Sequence, residues 1–182
     1  MYAIATLLKI DLEERTREIW SELEKDCGLL GIQATPMPHF SWTSASGYDL
    51  KSLAAFLKEF VKSVAPIRIS SFGLGLFSKP DKVLYIGLTK TRELMRLHQE
   101  IWTWSQSLSQ KTSDYYSPDK WMPHITIGYH DLEDGKLHCA VEALALYDLH
   151  FEITVDRIAV IYQDLDRVGI DSEYLFENAR SQ

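Results

Sequence analysis

The sequence has few cysteines and no long apolar segment. Its 182 residues include only two cysteines, Cys27 and Cys139, and neither belongs to a CxxC pair. A chain of this length buries enough apolar surface to fold without disulfides, so we expect both cysteines to be reduced thiols. No run approaches the roughly 18 to 20 apolar residues that span a membrane, and the apolar residues 3–8 lack the features of a secretory signal. These absences predict a cytoplasmic protein with no membrane partner.

Positive charge is also scarce. The sequence has 19 lysines and arginines against 26 aspartates and glutamates, which gives a net charge of −7 with neutral histidines. Proteins that bind long duplexes present basic surfaces, so this balance argues against a long double-stranded nucleic acid as the partner. A nucleotide or a short RNA end is still compatible with it. Hydrophobic residues make up 46% of the chain, which is typical of a single globular domain.

The order of predicted elements repeats along the chain. Each half contains apolar runs that indicate strands, separated by helical stripes that begin at the predicted N-caps Asp11, Asp49 and Thr91. Because several connections are short, the strands cannot all be parallel. We therefore predict one bilobal α+β domain over residues 1–182, with each pseudo-symmetric lobe an antiparallel or mixed sheet that carries helices on one face. The predicted halves cover about residues 1–79 and 80–165, and their predicted strands are residues 2–9, 37–43, 67–77, 83–88, 121–129 and 151–161.

The same short motif occurs in both halves. Residues 37–42 read Met-Pro-His-Phe-Ser-Trp, and residues 122–127 read Met-Pro-His-Ile-Thr-Ile. Because side chains alternate along a strand, His39 and Ser41 share one face, as do His124 and Thr126. An approximate two-fold axis would bring the two motif strands together in a central cleft, with two imidazoles and two hydroxyls around one centre. This arrangement suits a phosphate group.

Two histidines supply the acid and the base that displacement at phosphorus requires. One imidazole takes a proton from the attacking oxygen, and the other gives a proton to the leaving oxygen. An ordinary histidine pKa of about 6.5 allows one ring to be neutral and the other protonated near pH 7. The hydroxyls of Ser41 and Thr126 donate to the non-bridging phosphate oxygens. The scheme needs no metal and no cofactor.

The paired motifs resemble those of the 2H phosphoesterase superfamily, which includes 2′-5′ RNA ligase-like proteins and RNA cyclic phosphodiesterases. The order of elements is similar, and residues 72–88, FGLGLFSKPDKVLYIGL, look like the mid-chain glycine-bearing hairpin of that family. The resemblance places His39 and His124 as acid and base, and Ser41 and Thr126 as phosphate-binding residues. It implies metal-independent hydrolysis of a 2′,3′-cyclic phosphate, or of a related 2′-linked phosphodiester, on a nucleotide or short RNA end during RNA processing.

Two departures from the family's pattern bear on the substrate. Ser41 stands where many members have threonine, which keeps the hydroxyl and loses a methyl group. Tyr129 follows the second motif where the RNA-ligase-like branch often has a basic residue, so a long RNA substrate is disfavoured. A base can stack on an aromatic ring, and Tyr129, Trp121 and Tyr115 or its neighbour Tyr116 are the predicted substrate-binding candidates.

The residues leave other interpretations open. Both histidines fit a structural role in which backbone groups satisfy them, and imidazole is also a common metal ligand, although neither motif has a carboxylate or thiol at ligand spacing. Within the resemblance, a non-catalytic module that binds a nucleotide or RNA end, or a 2′-5′ RNA ligase, would use the same cleft. Gly73 and Gly75 are interpreted as strand glycines, because no third glycine opens a helix after them. We expect a monomer.

Overall fold

The computed structural model describes residues 1–78, 81–164 and 167–177. The predicted boundary between the halves, at residues 79 and 80, and the predicted end of the second half at residue 165 lie outside these residues. The described chain contains two four-stranded antiparallel sheets, four α-helices and two short 3-10 turns. This architecture confirms the predicted α+β fold with two lobes.

The strands and helices alternate for most of the chain. The predicted strands at residues 67–77 and 83–88 have the predicted bounds, and residues 167–175 form a strand that was not predicted. The strands are β1 (Tyr2–Leu7), β2 (His39–Ala45), β3 (Ile67–Phe77), β4 (Val83–Leu88), β5 (His124–Tyr129), β6 (Glu152–Val155), β7 (Arg157–Asp164) and β8 (Arg167–Leu175). The helices are α1 (Ile10–Cys27), α2 (Leu50–Phe60), α3 (Arg92–Leu108) and α4 (Asp134–Leu144), and the 3-10 turns are Gly31–Ala34 and Asp114–Tyr116.

Each sheet combines strands from distant parts of the chain. The first sheet has the order β2-β1-β7-β8, and the second has the order β5-β4-β3-β6. Strand β3 therefore pairs with β4 in the second sheet, while β7 and β8 complete the first. The motif strands β2 and β5 are the edge strands of their sheets, and they contact each other. This contact brings the two motif strands together where the sheets meet.

Side-chain caps fix the starts of two helices. Asp49 accepts hydrogen bonds from two backbone N–H groups of α2, and Thr91 accepts one from α3, as the sequence predicts. Gly28 ends α1 with a φ of 68°, a conformation that glycine adopts at little cost. The prediction for Asp11 was wrong, because α1 begins at Ile10 and its N-cap is Lys9, two residues earlier, without a side-chain bond.

The two cysteines form a disulfide, so the prediction of reduced thiols was wrong. Cys27 at the end of α1 and Cys139 in α4 have Cα atoms 5.7 Å apart. The two cysteines are 112 residues apart in the sequence, and they are close in space because α1 packs against α4. The sequence pattern does not reveal this packing. Nearby, the carboxylate of Asp131 accepts from the backbone N–H groups of Leu30 and Gly31, at 2.7 and 3.0 Å. These contacts hold the chain after α1 against the chain after β5.

None of the helices in the described parts of the chain is both long and apolar enough to pass through a bilayer.

Candidate active site

The motif strands present their polar residues on one face. On β2, His39 and Ser41 are half-buried, whereas Phe40 and Trp42 have no exposed surface and pack in the core. Strand alternation produces this division, as the sequence predicts. The same division recurs on β5, where His124 and Thr126 are half-buried and Ile125 and Ile127 have no exposed surface.

Both motif strands have an irregularity at the same position. On β2, Ser41 pairs with Ala5 and Thr43 pairs with Ile4, so Trp42 is an extra residue without a partner on β1. On β5, Thr126 and Gly128 pair with consecutive residues of β4, which leaves Ile127 as the extra residue. Such β-bulges redirect neighbouring side chains and are common beside active sites. The structure therefore repeats the local geometry directly after each hydroxyl residue.

Two buried tryptophans hold the backbone of these bulges from within the core. The indole Nε1 of Trp121, just before β5, donates to the carbonyl of Ser41 at 3.0 Å. Trp20 of α1 donates in the same way to the carbonyl of Thr126 at 3.2 Å. An edge strand leaves backbone groups without ladder partners, and the indoles satisfy one such carbonyl on each motif strand. The two residues that follow one motif's histidine form a half-site with it, and the backbone of each half-site is thus held by an indole from the half of the chain that contains the other motif.

The two histidine rings have matching orientations. Nδ1 of His39 lies 2.7 Å from the carbonyl oxygen of Met37, and Nδ1 of His124 lies 2.6 Å from that of Met122. Because a carbonyl only accepts, Nδ1 carries a proton in both rings and donates it. The other ring nitrogen, Nε2, is left to act on a substrate as a base when neutral and as an acid when protonated.

Burial lowers the pKa of both histidines. For His39 it lowers the pKa below 6.5, and the hydrogen bond to Met37 opposes this shift. For His124 burial again has the largest effect, the bond to Met122 opposes it, and the charge of His39 lowers the pKa further. Each imidazole therefore influences the protonation of the other. Both rings are mostly neutral at pH 7 in the free protein.

Aromatic rings enclose His124. The ring of Phe77 contacts the imidazole edge-on, with centroids 5.1 Å apart, and the ring of Tyr85 lies at 5.0 Å. Tyr85 also covers Gly75, where an added Cβ would lie 2.3 Å from the tyrosine ring. The glycines of residues 72–75 are thus strand glycines, as interpreted from the sequence. Gly75 leaves room for the ring that packs on His124.

Tyr116 joins the first half-site. Burial raises the pKa of its hydroxyl, while the nearby side chains of Ser41 and Ser44 lower it. Its neighbour Tyr115, named as a substrate-binding candidate, is 67% exposed and has none of these contacts. The 3-10 turn that contains both residues decides which ring faces the cleft, and strand or helix periodicity does not reveal such a turn.

The other two aromatic candidates have different surroundings. Trp121 is 1% exposed, and its ring stacks against His98 at 3.8 Å and against Trp42 at 5.6 Å, so no ring face is left for a substrate. Tyr129 is half-buried at the end of β5, and its ring lies 3.6 Å from that of His130. Sequence reasoning missed Trp20, because a buried tryptophan on a helix has no local signal that sets it apart from a core residue.

His98 is a buried packing residue, as its place beside the apolar stripe of α3 suggests. It has no exposed surface, and its ring lies nearly parallel to Trp121, with an interplanar angle of 5°. Burial lowers its pKa to about 4, so the ring is neutral at pH 7. A neutral imidazole can lie flat on the indole that holds the Ser41 carbonyl.

The described residues contain no group of three or more histidine, cysteine, aspartate or glutamate side chains arranged to hold a metal ion. The polar side chains on the half-buried faces of the two motifs are the imidazoles of His39 and His124 and the hydroxyls of Ser41 and Thr126.

Comparison with known protein families shows which family the chain belongs to. Residues 11–167 match the 2′-5′ RNA ligase superfamily. The chain belongs to this superfamily, the 2H phosphoesterases. Among its relatives, a protein of Geobacillus sp. (strain WCH70), named as a candidate phosphoesterase, is 30% identical over 131 residues, which cover 69% of this chain and 70% of the relative. A similarly named protein of Geobacillus kaustophilus (strain HTA426) is 29% identical over 63% of this chain and 62% of its own length.

Solved structures share the fold of this 2H phosphoesterase. The crystal structure of the protein TT0787 of Thermus thermophilus superposes with a TM-score of 0.68 and 14% identity, covering 96% of this chain and 97% of that one. A second crystal structure, described as a phosphoesterase, gives a TM-score of 0.63 at the same identity and coverage. Proteins whose sequences are only 14% identical to this one therefore share its fold.

Proposed function

We propose that this 2H phosphoesterase hydrolyses a 2′,3′-cyclic phosphate, or a related 2′-linked phosphodiester, of a nucleotide or short RNA end. The observation that carries the proposal is the matching orientation of two coupled histidines. In each ring Nδ1 is committed to a backbone carbonyl, which leaves Nε2 for the substrate. The charge of His39 acts on His124, as expected of two groups that share one phosphate.

Hydrolysis then requires two proton transfers and one bond exchange. Neutral Nε2 of one histidine takes a proton from water as the water oxygen bonds to phosphorus. Protonated Nε2 of the other histidine gives its proton to the ribose oxygen as the phosphorus–oxygen bond breaks. The hydroxyls of Ser41 and Thr126 donate to the non-bridging oxygens, where negative charge accumulates. The orientation of the bound substrate decides which histidine is the acid.

The charge balance favours a small substrate. Ligation brings two polyanionic RNA ends into one cleft, which a protein with a net charge of −7 opposes more strongly than binding of one cyclic nucleotide. We therefore propose hydrolysis ahead of 2′-5′ ligation, with a monomeric cytoplasmic enzyme as the working form. A binding module without turnover would not need two histidines that each keep Nε2 available for proton transfer.

Phosphorus NMR of the four nucleoside 2′,3′-cyclic monophosphates tests the proposal. In EDTA, the wild-type protein should convert the cyclic resonance to that of a 2′- or 3′-monophosphate, and His39→Ala and His124→Ala should each abolish conversion. His138→Ala is the matched control, because His138 is exposed on α4 and pairs there with Glu142. A cyclic resonance that broadens without conversion would instead indicate a binding module, and 2′-5′ joined products would indicate a ligase.

A further inference from the structure

Strand β3 carries an exposed aromatic ring at an irregular position. Ser71 pairs with Leu88, and Gly73 pairs with Gly87. Because Leu88 and Gly87 are consecutive on β4, Phe72 is an extra residue of β3 without a partner on β4. Gly73 has a φ of 118°, a conformation that other residues rarely adopt. The result is a β-bulge whose geometry redirects the side chain of Phe72.

The bulge turns Phe72 onto the face of the sheet that carries His124. A Cβ added to Gly87 would lie 2.2 Å from the ring of Phe72, so the ring occupies the place where a side chain of residue 87 would stand. Gly87 pairs directly with His124 on β5, and side chains of directly opposed residues share a face. Gly73 permits the bulge and Gly87 leaves room for the phenyl ring, so these two glycines together place Phe72 on the sheet face that carries His124.

Phe72 differs from the other aromatic residues around His124. The rings of Phe77 and Tyr85 pack on the imidazole and on each other, whereas Phe72 has no ring partner among the residues that the structure describes. Its side chain is 49% exposed. A large apolar ring left half exposed on the sheet face that carries His124 has surface available for a ligand.

We propose that Phe72 is the platform on which the nucleobase of the substrate stacks. The proposal rests on the proposed function, because it takes the phosphate to lie at His39 and His124. Phe72 belongs to β3, but its ring stands over Gly87, the direct cross-strand neighbour of His124 on β4. Such neighbours are about 5 Å apart, which is the scale of the ribose that joins a base to its phosphate. Every base offers a π-face, so a phenyl platform binds all four bases with little preference. The substrate class is therefore a cyclic phosphodiester that bears an aromatic base.

Two substrates and three variants test the platform. Phe72→Ala should raise the KM for cytidine 2′,3′-cyclic phosphate by about 5- to 100-fold, the range expected when one stacked base is lost, with little change in kcat. The same variant should act normally on glycerol 1,2-cyclic phosphate, which has no base. Gly87→Ala should reproduce the selective loss, because its methyl group displaces the ring while leaving Phe72 in the chain. Equal losses on both substrates, or no loss on either, would overturn the proposal.

Leu76→Ala is the matched control. Leu76 is 44% exposed on the same strand, but it pairs with Leu84, one position away from the Gly75–Tyr85 pair, and so lies on the opposite face. This variant should keep the wild-type KM for both substrates. If it shows the same selective loss, exposed apolar surface rather than the Phe72 platform is responsible.

Proton NMR separates the platform from the proposed reaction. A base stacked on the phenyl ring should show upfield shifts of its ring protons when cytidine 3′-monophosphate binds the wild-type protein, and Phe72→Ala should remove them. This measurement does not depend on turnover. If the base protons shift but no cyclic substrate is converted, the stacking role of Phe72 is supported and hydrolysis is refuted. If the base protons do not shift, the stacking role is refuted.

Discussion

The indole nitrogen of Trp121 lies 3.0 Å from the carbonyl oxygen of Ser41 and donates a hydrogen bond to it. The bond between Trp20 and Thr126 is its counterpart on the other side. Each indole comes from a segment outside the sheet that it supports, so the two half-sites are held by reciprocal contacts. Loss of either N–H group should affect the placement of a phosphate-binding hydroxyl.

Trp121→Phe and Trp20→Phe should each lower kcat about tenfold with little change in KM, because a loosened bulge misplaces a hydroxyl in the transition state. Each should also lower the free energy of unfolding by about 2 to 3 kcal/mol, because the smaller ring leaves a cavity in the core in addition to the lost hydrogen bond. Steady-state kinetics and denaturant unfolding measure both quantities. Trp104→Phe is the control, because Trp104 is half exposed and stacks on Phe56 away from the cleft. A normal kcat in both variants would refute a positioning role.

The pH profile of kcat/KM should be bell-shaped, with its maximum below pH 6.5. The reaction needs one neutral and one protonated imidazole, and burial lowers the pKa of both His39 and His124 below 6.5 in the free protein. Above the higher of the two pKa values the acid is lost, so activity should fall about tenfold per pH unit. Initial rates between pH 4 and 9 test this, and an optimum above pH 7 would contradict it.

His39→Gln should raise the pKa of His124. The charge of His39 is one cause of the low pKa of His124, and glutamine removes it while retaining a hydrogen-bonding side chain. NMR titration of the His124 ring carbon signals measures the shift directly. An unchanged titration in the variant would show that the two rings do not interact.

His98 should make the protein sensitive to acid. Its pKa is about 4 in the folded protein and about 6.5 when unfolded, so the unfolded chain binds more protons between these values. Stability from this residue is present above pH 6.5 and is lost as the pH falls to about 4, by a total on the order of 3 kcal/mol. Urea unfolding of His98→Phe across this range should show a weaker pH dependence than wild type. Identical slopes would refute the effect.

Reduction of the Cys27–Cys139 disulfide should lower the free energy of unfolding by about 4 to 5 kcal/mol, because the bond closes a loop of more than 100 residues. Denaturant unfolding with and without a phosphine reductant measures the loss, and the double variant Cys27→Ser with Cys139→Ser should be insensitive to the reductant. Equal midpoints for the wild type in both conditions would contradict the prediction. Such bonds are rare in reducing compartments, so the redox state in cells also tests the predicted cytoplasmic location.

Local patterns predicted much of the molecule. Alternation along a strand placed His39 with Ser41 and His124 with Thr126, because the side-chain period of a strand holds wherever the strand lies. Helix caps at Asp49 and Thr91 were predictable for the same reason, since a cap satisfies N–H groups only two or three residues away. These features depend on neighbours in the sequence.

The features that were missed depend on distant parts of the chain. The Cys27–Cys139 bond, the contact of Trp20 with Thr126, and the exchange of β3 into the second sheet join residues that no periodic pattern relates. Strand β8 was not predicted, because its residues 167–175 mix charged, glycine and apolar side chains and so lack the apolar run that indicates a strand. It lies at an exposed edge of the first sheet. The exposed ring of Phe72 follows from a bulge and a neighbouring strand's glycine, which only the register reveals.

The position of β1 has a consequence for synthesis of the protein on the ribosome. This strand, Tyr2–Leu7, lies between β2 and β7, and β7 begins only at Arg157. Strand β1 is therefore translated about 150 residues before the strand that pairs with its second edge. Until then an apolar edge is open to other nascent chains, which makes this protein a candidate client for ribosome-associated chaperones.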